Sequence, residues 1–268
     1  MRIVDEGAGT PVVLVPGVQG RWEWMKPTVD ALARRCRVIT FSLADEPTCE
    51  GSFDPETGFD CYVRQIGDAM DAARIGQATI CGVSYGGLIA AAFAARHPER
   101  VSALVLASAL APGWKPDARA RFFLRAPRLL MPLFVVGSLR MYPEIAAASP
   151  TFLAGVTTAL RHAATVLAHM FSPGRMARRV RMLSRLDLTG ELARLTVRTL
   201  VITGEDRLDR VVPSSVTRRY LQMWPHAVGV TLARTGHLGL ITRPDKFARL
   251  VAGFAEGGVE DDRRRLVG

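Results

Sequence analysis

Long hydrophobic runs are absent from this chain of 268 residues. A membrane-crossing helix needs roughly 18–20 consecutive apolar residues. The apolar stretch at residues 129–136 falls well short, and Pro132 is expected to break it. The opening residues, MRIVDEG, lead into no apolar h-region. No secretory signal is therefore expected, and the expected location is the cytoplasm. Cysteine is scarce, and Cys36, Cys49, Cys61 and Cys81 form no C-x-x-C pair. Cys36 and Cys81 sit in or beside apolar runs and read as small core residues. Cys49 and Cys61 flank a loop and could pair, but a cytosolic chain favours free thiols. Internal repeats and low-complexity segments are lacking.

Acidic residues are missing from one region in particular. The formal charge is +10, from 35 Lys+Arg against 25 Asp+Glu. Residues 112–186 hold 12 of the basic residues and only 2 of the acidic ones, Asp117 and Glu144. That leaves 23 of each sign elsewhere, so the whole excess lies in the middle of the chain. A +10 charge invites a nucleic-acid partner, but no nucleic-acid-binding module is recognisable, and none is expected as a partner. Three readings of the basic segment stay open: a solvated outer face, attraction of anionic substrates, and contact with an anionic membrane surface. The last rests on residues 174–186, GRMARRVRMLSRL. Met176, Val180 and Leu183 fall on one helical stripe there, with Arg175, Arg178, Arg179, Arg181 and Arg185 largely elsewhere. A helix packed on a core shows the same pattern.

What is present is an alternation of apolar runs and helical periodicities. Strands are expected at PVVLV (11–15), CRVITFSL (36–43), ATICGV (78–83), VSALVLASAL (101–110), TLVIT (199–203) and residues 228–232. Helices are expected at 27–35, 62–74, 85–97, 214–224 and 245–255. Strand, helix, strand, helix is the signature of a mostly parallel, doubly wound α/β sheet covered on both faces. The alternation stops over 112–186, which reads as helices punctuated by prolines. The expected organisation is a core of residues 1–111 and 187–268 with an inserted helical cap, 112–186.

Gly82-Val83-Ser84-Tyr85-Gly86 matches G-x-S-x-G, a short pattern that gains meaning from its context. A β-rich run leads in and an alanine-rich helix leads out. Such a turn holds the serine in a strained conformation at a helix N-terminus, where developing negative charge is stabilised. A serine hydroxyl needs a base, and the base needs an orienting carboxylate. Of five histidines, His97 closes a helix, His162 and His169 read as packing or surface residues of the cap, and His226 sits in a connection. His237, in RTGHLGL, follows the last strand, where a parallel sheet delivers its loops to the carboxyl edge. The acid is expected in GEDRLDRVVP, where Glu205, Asp206 and Asp209 compete.

These pieces (VVLVPG, CGVSYGG, ERVSALVLAS, VRTLVITGEDRLDRVVP and RTGHLGL) resemble the α/β-hydrolase superfamily over nearly the whole chain. The resemblance implies an α/β-hydrolase fold with a helical cap and a cofactor-free hydrolase of carboxylesterase type. Its substrate would be a small ester-like molecule. The implied catalytic residues are Ser84, His237 and an acid four residues before the proline of a D-x-V-V-P-like stretch, which is Asp209. Counting forward from Gly204 points nearer Asp206, which stays the alternative. The implied oxyanion hole uses the backbone N–H groups of Tyr85 and Val18. Pro16 stands where the family usually has a histidine, which removes a loop-stabilising side chain but not the donor. Only about ten residues precede the first strong strand, so the family's leading hairpin should be short or partly missing. Leu124, Leu129, Leu130, Met131, Phe134, Phe152, Leu153, Met170 and Phe171 are candidates for an apolar cap lining or for packing the cap on the core. The same residues could also hydrolyse a lactone, a thioester or a carbon–carbon bond, transfer an acyl group, or serve a low-turnover binding protein. Oligomeric state is not legible.

Overall fold

The computed structural model describes residues 2–49, 53–170 and 172–257. Seven strands form one sheet: β1 (Val4–Glu6), β2 (Pro11–Val15), β3 (Arg37–Thr40), β4 (Ala78–Val83), β5 (Val101–Ala107), β6 (Thr199–Thr203) and β7 (Val228–Thr231). Their order is β1-β3-β2-β4-β5-β6-β7, and only the β1–β3 pairing is antiparallel. The expected short leading hairpin is β1, three residues paired with the opposite edge of β3. The strand expected over 36–43 is ordered as a strand only over Arg37–Thr40.

Each inner strand serves two cores at once, because successive side chains point to opposite faces. Val13 and Val15 join one apolar cluster, with Ile66 of α2 (Phe59–Ala72), Ile89 of α3 (Tyr85–Arg96) and Tyr220 of α10 (Ser214–Met223). Val12 and Leu14 join the other, with Val29 of α1 (Lys26–Ala33) and Phe247 of α12 (Pro244–Ala255). Strands covered this way read as continuous apolar runs, as β4 does with all six residues buried. Helix α3 is buried from Tyr85 through Ala94. Its alanines let it lie close on β4 and β5, and Pro98 ends it in a single 3-10 turn.

Between β5 and β6 the chain forms α4 (Ala118–Arg125), α5 (Met131–Ser138), α6 (Tyr142–Ala148), α7 (Phe152–Ala168), α8 (Pro173–Leu183) and α9 (Thr189–Leu192). No strand interrupts them among the described residues. Local capping explains several starts: Asp117, Thr151 and Ser172 each accept a first-turn N–H, from Ala120, Ala154 and Arg175. Pro132 does not break its apolar run. It falls in the first turn of α5, where proline's missing N–H costs nothing.

Two further expectations about this insertion are corrected. Leu129, Phe152, Leu153 and Met170 neither line a cleft nor pack on the core; they are 79%, 77%, 74% and 58% exposed. The side chain of Phe134 and the whole of Phe171 lie outside the described residues. On α8, Arg179 is not on the polar face. It is fully buried beside Ala177 and Leu183, because it meets two acidic partners from the core. After β7, a short α11 (Gly239–Thr242) precedes α12, which opens on Pro244, the residue type suited to a first helical turn.

Candidate active site

Parallel strands deliver their carboxyl ends to one edge of the sheet, and three loops of interest leave from that edge. The first is the turn from β4 into α3. Ser84 occupies it at φ 53°, ψ −116°, a positive-φ conformation that costs a non-glycine residue about 1–3 kcal/mol. The fold holds it there. The Ser84 N–H donates to the Ala107 carbonyl (2.9 Å), and its own carbonyl accepts from Gly87 and Leu110 (3.0 and 3.1 Å). A Cβ on Gly82 would lie 2.6 Å from the Gly87 Cα, so only glycine lets strand and helix close this tightly. Ser84 is 6% exposed, at the head of α3.

The second loop follows β6 and carries the three competing carboxylates. Glu205 is tied up locally, accepting from the Arg234 N–H (2.6 Å) and pairing with Arg207 (2.8 Å). Asp206 is exposed and pairs with Arg218 (3.1 Å). Asp209 is buried, and its Oδ1 accepts from the N–H groups of Val211 and Val212 (3.0 and 2.9 Å). Its Oδ2 faces His237 Nδ1 at 3.6 Å. That is longer than a good hydrogen bond. Neither atom has another hydrogen-bond partner, so the pair face each other. Burial pushes the Asp209 carboxyl up, but the facing His237 and the two amides outweigh it and hold the group below its ordinary value.

The third loop, after β7, carries His237. It is stitched to the second: the Glu205 N–H donates to the Thr235 carbonyl (2.7 Å). Gly236 lies flat on the other loop, where a Cβ would stand 2.7 Å from the Asp209 nitrogen. That close approach carries the next side chain, His237, to Asp209.

The turn after β2 lies against the serine. A Cβ on Gly17 would be 3.5 Å from the Ser84 Cβ. The turn is closed by the Gly20 N–H on the Gly17 carbonyl (2.9 Å), with Val18 inside it. Tyr85, first residue of α3, has an N–H that its own helix leaves without an acceptor. Its side chain turns inward, against Phe59 and Tyr62 (ring centroids 6.2 and 6.1 Å).

Two residues of the insertion reach these loops, and the sequence assigned a part to neither. Arg179 on α8 donates to the Val18 carbonyl (2.7 Å) and pairs with Asp45 and with Glu46 (2.6 Å), all three charged groups being buried. Glu144 on α6 is 1% exposed and accepts from the Leu238 N–H at 2.7 Å, one residue from His237. Burial raises its carboxyl to about 7, against the opposing pull of the Gly236 and Leu238 amides and of His237. The available signal was compositional, since Glu144 is one of only two acidic residues in that basic segment.

The other histidines stay outside this edge. His97 packs at a tilt on Phe93, His226 contacts the Val197 carbonyl, and His162 packs edge-on to Trp24. The His169 carbonyl accepts from Trp24. All four cysteines are buried free thiols. Among the described residues, no three His, Cys, Asp or Glu side chains converge as metal ligands.

The family model described as the alpha/beta hydrolase family matches residues 12–250. The chain belongs to the α/β-hydrolase family. A poly(3-hydroxyalkanoate) depolymerase of Ectopseudomonas oleovorans is 30% identical over 96% of this chain and 87% of its own. A 2-hydroxy-6-oxo-2,4-heptadienoate hydrolase of Pseudomonas putida strain F1 is 28% identical over 93% and 90%. Among solved structures, the enol-lactonase of Burkholderia xenovorans LB400 superposes with a TM-score of 0.76 at 21% identity, covering 95% and 96% of the two chains. That likeness concerns the fold. Together with the curated relatives, the family membership makes this α/β hydrolase an enzyme of the hydrolase class. No helix among the described residues is long and apolar enough to cross a membrane.

Proposed function

We propose that this α/β hydrolase is a serine esterase that cleaves a small carboxylic ester through an acyl-enzyme. Ser84 Oγ attacks the ester carbonyl while His237 takes its proton. Asp209 orients the imidazole and stabilises its charged form. The N–H groups of Val18 and Tyr85 receive the oxyanion, each such donor being worth about 3–4 kcal/mol in the transition state. The bond to the alcohol then breaks, and His237 returns the proton to the leaving oxygen. Water attacks the acyl-enzyme with His237 again as base and frees the acid. Every group in this route comes from the chain, so no cofactor is called for. The insertion caps the reaction edge, and with four free thiols the reading keeps the protein in the cytoplasm.

The observation that carries this reading is the strained Ser84 at the head of α3, on the sheet edge that also bears the facing pair Asp209 and His237. The same three residues would serve a lactone, a thioester or a carbon–carbon bond. The relatives' names span a poly(3-hydroxyalkanoate) depolymerase and a 2-hydroxy-6-oxo-2,4-heptadienoate hydrolase. An activity screen on p-nitrophenyl esters of graded chain length, beside fluorophosphonate labelling, tests the reading. Wild type should turn over and label, and Ser84→Ala should do neither. A wild type that does not label points to a binding protein instead.

The insertion's outer surface supports a second reading, contact with an anionic membrane surface. Of the twelve exposed large hydrophobic residues described, eleven lie between Phe122 and Met170. Leu153, Leu160 and Leu167 recur every seventh residue along one face of α7, at 74%, 65% and 74% exposure. An apolar face in a segment of net charge +10 fits an anionic bilayer. Self-association through it would oppose like charges. Co-sedimentation with phosphatidylglycerol vesicles but not phosphatidylcholine vesicles, lost when the three leucines become serine, is the expected result. Pelleting with neither lipid, or a dimer held by the same leucines, overturns it.

A further inference from the structure

His237 stands on a short loop between β7 and α11, and part of what holds that loop comes from the insertion rather than from the sheet. Helix α6 lies along it and attaches at both ends. At one end the Glu144 carboxylate accepts the buried N–H of Leu238 at 2.7 Å. At the other, the Arg234 guanidinium donates to the carbonyls of Ala147 (2.7 Å) and Ser149 (3.1 Å), where α6 exposes its unpaired carbonyl groups. Arg234 is itself held at φ 62°, with its N–H on Glu205. The acid loop, the base loop and α6 are thus one continuous strap. A carboxylate buried this deeply is retained only against its desolvation cost, and the reaction route described above gives it no part.

We propose that Glu144 is a positioning residue for His237: from the insertion it supplies the acceptor that fixes the Leu238 N–H and a negative charge beside the imidazolium, so the base is fully competent only while α6 is docked. The inference rests on the reading of His237 as the general base. Asp209 holds the imidazole from the acid loop, and Glu144 adds a second carboxylate from the insertion. The titratable and charged groups facing Glu144 are His237 and Asp209. Arg140, in the turn just before α6, feels the field of Asp209. Arg234 is spent on the far end of the helix. As Glu144 ionises, near neutrality, its charge favours the protonated ring of His237, which is the form created when Ser84 is deprotonated. Movement of α6 away from the loop would remove that charge and release the Leu238 N–H together.

The test uses the full-length protein and two substitutions. Glu144→Gln keeps an oxygen acceptor for Leu238 and removes the charge; Glu144→Ala removes both. The primary readout is the ring titration of His237 by NMR on histidine-labelled protein, which needs no substrate. The expected result is a downward shift of that titration in Glu144→Gln. The acid limb of the kcat/KM profile on the best p-nitrophenyl ester should move with it, and KM should stay within about twofold. In Glu144→Ala, kcat should fall by about 10–100-fold, the scale of a base displaced by a fraction of an ångström. An unmoved His237 titration in folded Glu144→Gln overturns the proposal, whatever the activity. If wild type neither labels with fluorophosphonate nor turns over, the esterase reading fails instead, and the NMR titration still decides whether Glu144 acts on His237.

Discussion

The sheet and the insertion are built on opposite terms. In the sheet, side chains such as Leu14, Leu104 and Val105 have no exposure at all, and two apolar clusters hold the strands by contacts that favour no direction. In the insertion, Leu129, Leu153 and Leu167 face solvent; Leu183 of α8 joins one of the apolar clusters, and beside it stand attachments that are directional and polar. Glu144 reaches Leu238, Arg179 reaches Asp45, Glu46 and Val18, and the Trp24 indole reaches the His169 carbonyl. Apolar burial fixes that a layer is covered, but tolerates small slips. Hydrogen bonds from buried charged groups fix register, because a slip leaves a charge unpaired. Two of these attachments land on the turns that bear Val18 and His237, the proposed oxyanion donor and base. The insertion is therefore keyed to these two turns by polar contacts as well as packed on the core.

Removing Arg179 should break that keying with the largest effect. Arg179→Ala leaves Asp45 and Glu46 buried without a counter-charge, a change that typically costs about 3–5 kcal/mol. Urea unfolding measures it. The triple substitution Arg179→Met, Asp45→Asn, Glu46→Gln should recover much of the stability, since no uncompensated charge stays buried. It should not recover kcat, because the Val18 carbonyl loses its 2.7 Å donor and the proposed oxyanion turn loses its brace. A triple variant with wild-type kcat would mean that the link to Val18 is incidental.

A matched pair of leucines sharpens the contrast. Leu104, in the middle of β5, is fully buried, and Leu104→Ala should cost about 2–5 kcal/mol. Leu160, on α7, is 65% exposed, and Leu160→Ala should stay within about 0.5 kcal/mol. Comparable losses for the two would mean that α7 is covered in solution, by a second copy or by a different arrangement of the insertion.

The same contrast governs what could be read from the sequence. The core was legible because doubly covered strands are locally unambiguous: PVVLV, ATICGV and TLVIT became β2, β4 and β6 with no change of boundary. Two candidate residues at the sheet edge were legible for a related reason, since Ser84 directly follows β4 and His237 lies on the loop that leaves β7. Asp209 stood apart from Asp206 only through partners in space: Arg218 holds one in solvent, and His237 faces the other. The insertion resisted because its determinants are distant pairs. Arg179 meets Asp45 across 134 positions, and Glu144 meets Leu238 across 94. Sequence pattern assigned Arg179 to a polar face and Leu153 to a lining or packing role. Neither assignment can be corrected without knowing which side of each helix has a neighbour.

The finest test of the keyed insertion is the pH dependence of its attachment. The Glu144 carboxyl titrates at about 7 in the folded protein, against an ordinary value of 4.5. Between those two values the folded chain holds a proton that the unfolded chain has released, so stability must fall as pH rises. The contribution is intact below about pH 4.5 and lost once pH has passed about 7. A displacement of that size corresponds to about 3 kcal/mol at most. Glu144→Gln cannot ionise and serves as the reference. The two proteins should unfold alike near pH 5, and the glutamine variant should become the more stable by about 1–3 kcal/mol at pH 8. Urea unfolding at the two pH values gives the comparison. Curves that stay parallel would mean that Glu144 ionises as freely in the folded chain as in the unfolded one, and that α6 is not seated on the His237 loop in solution.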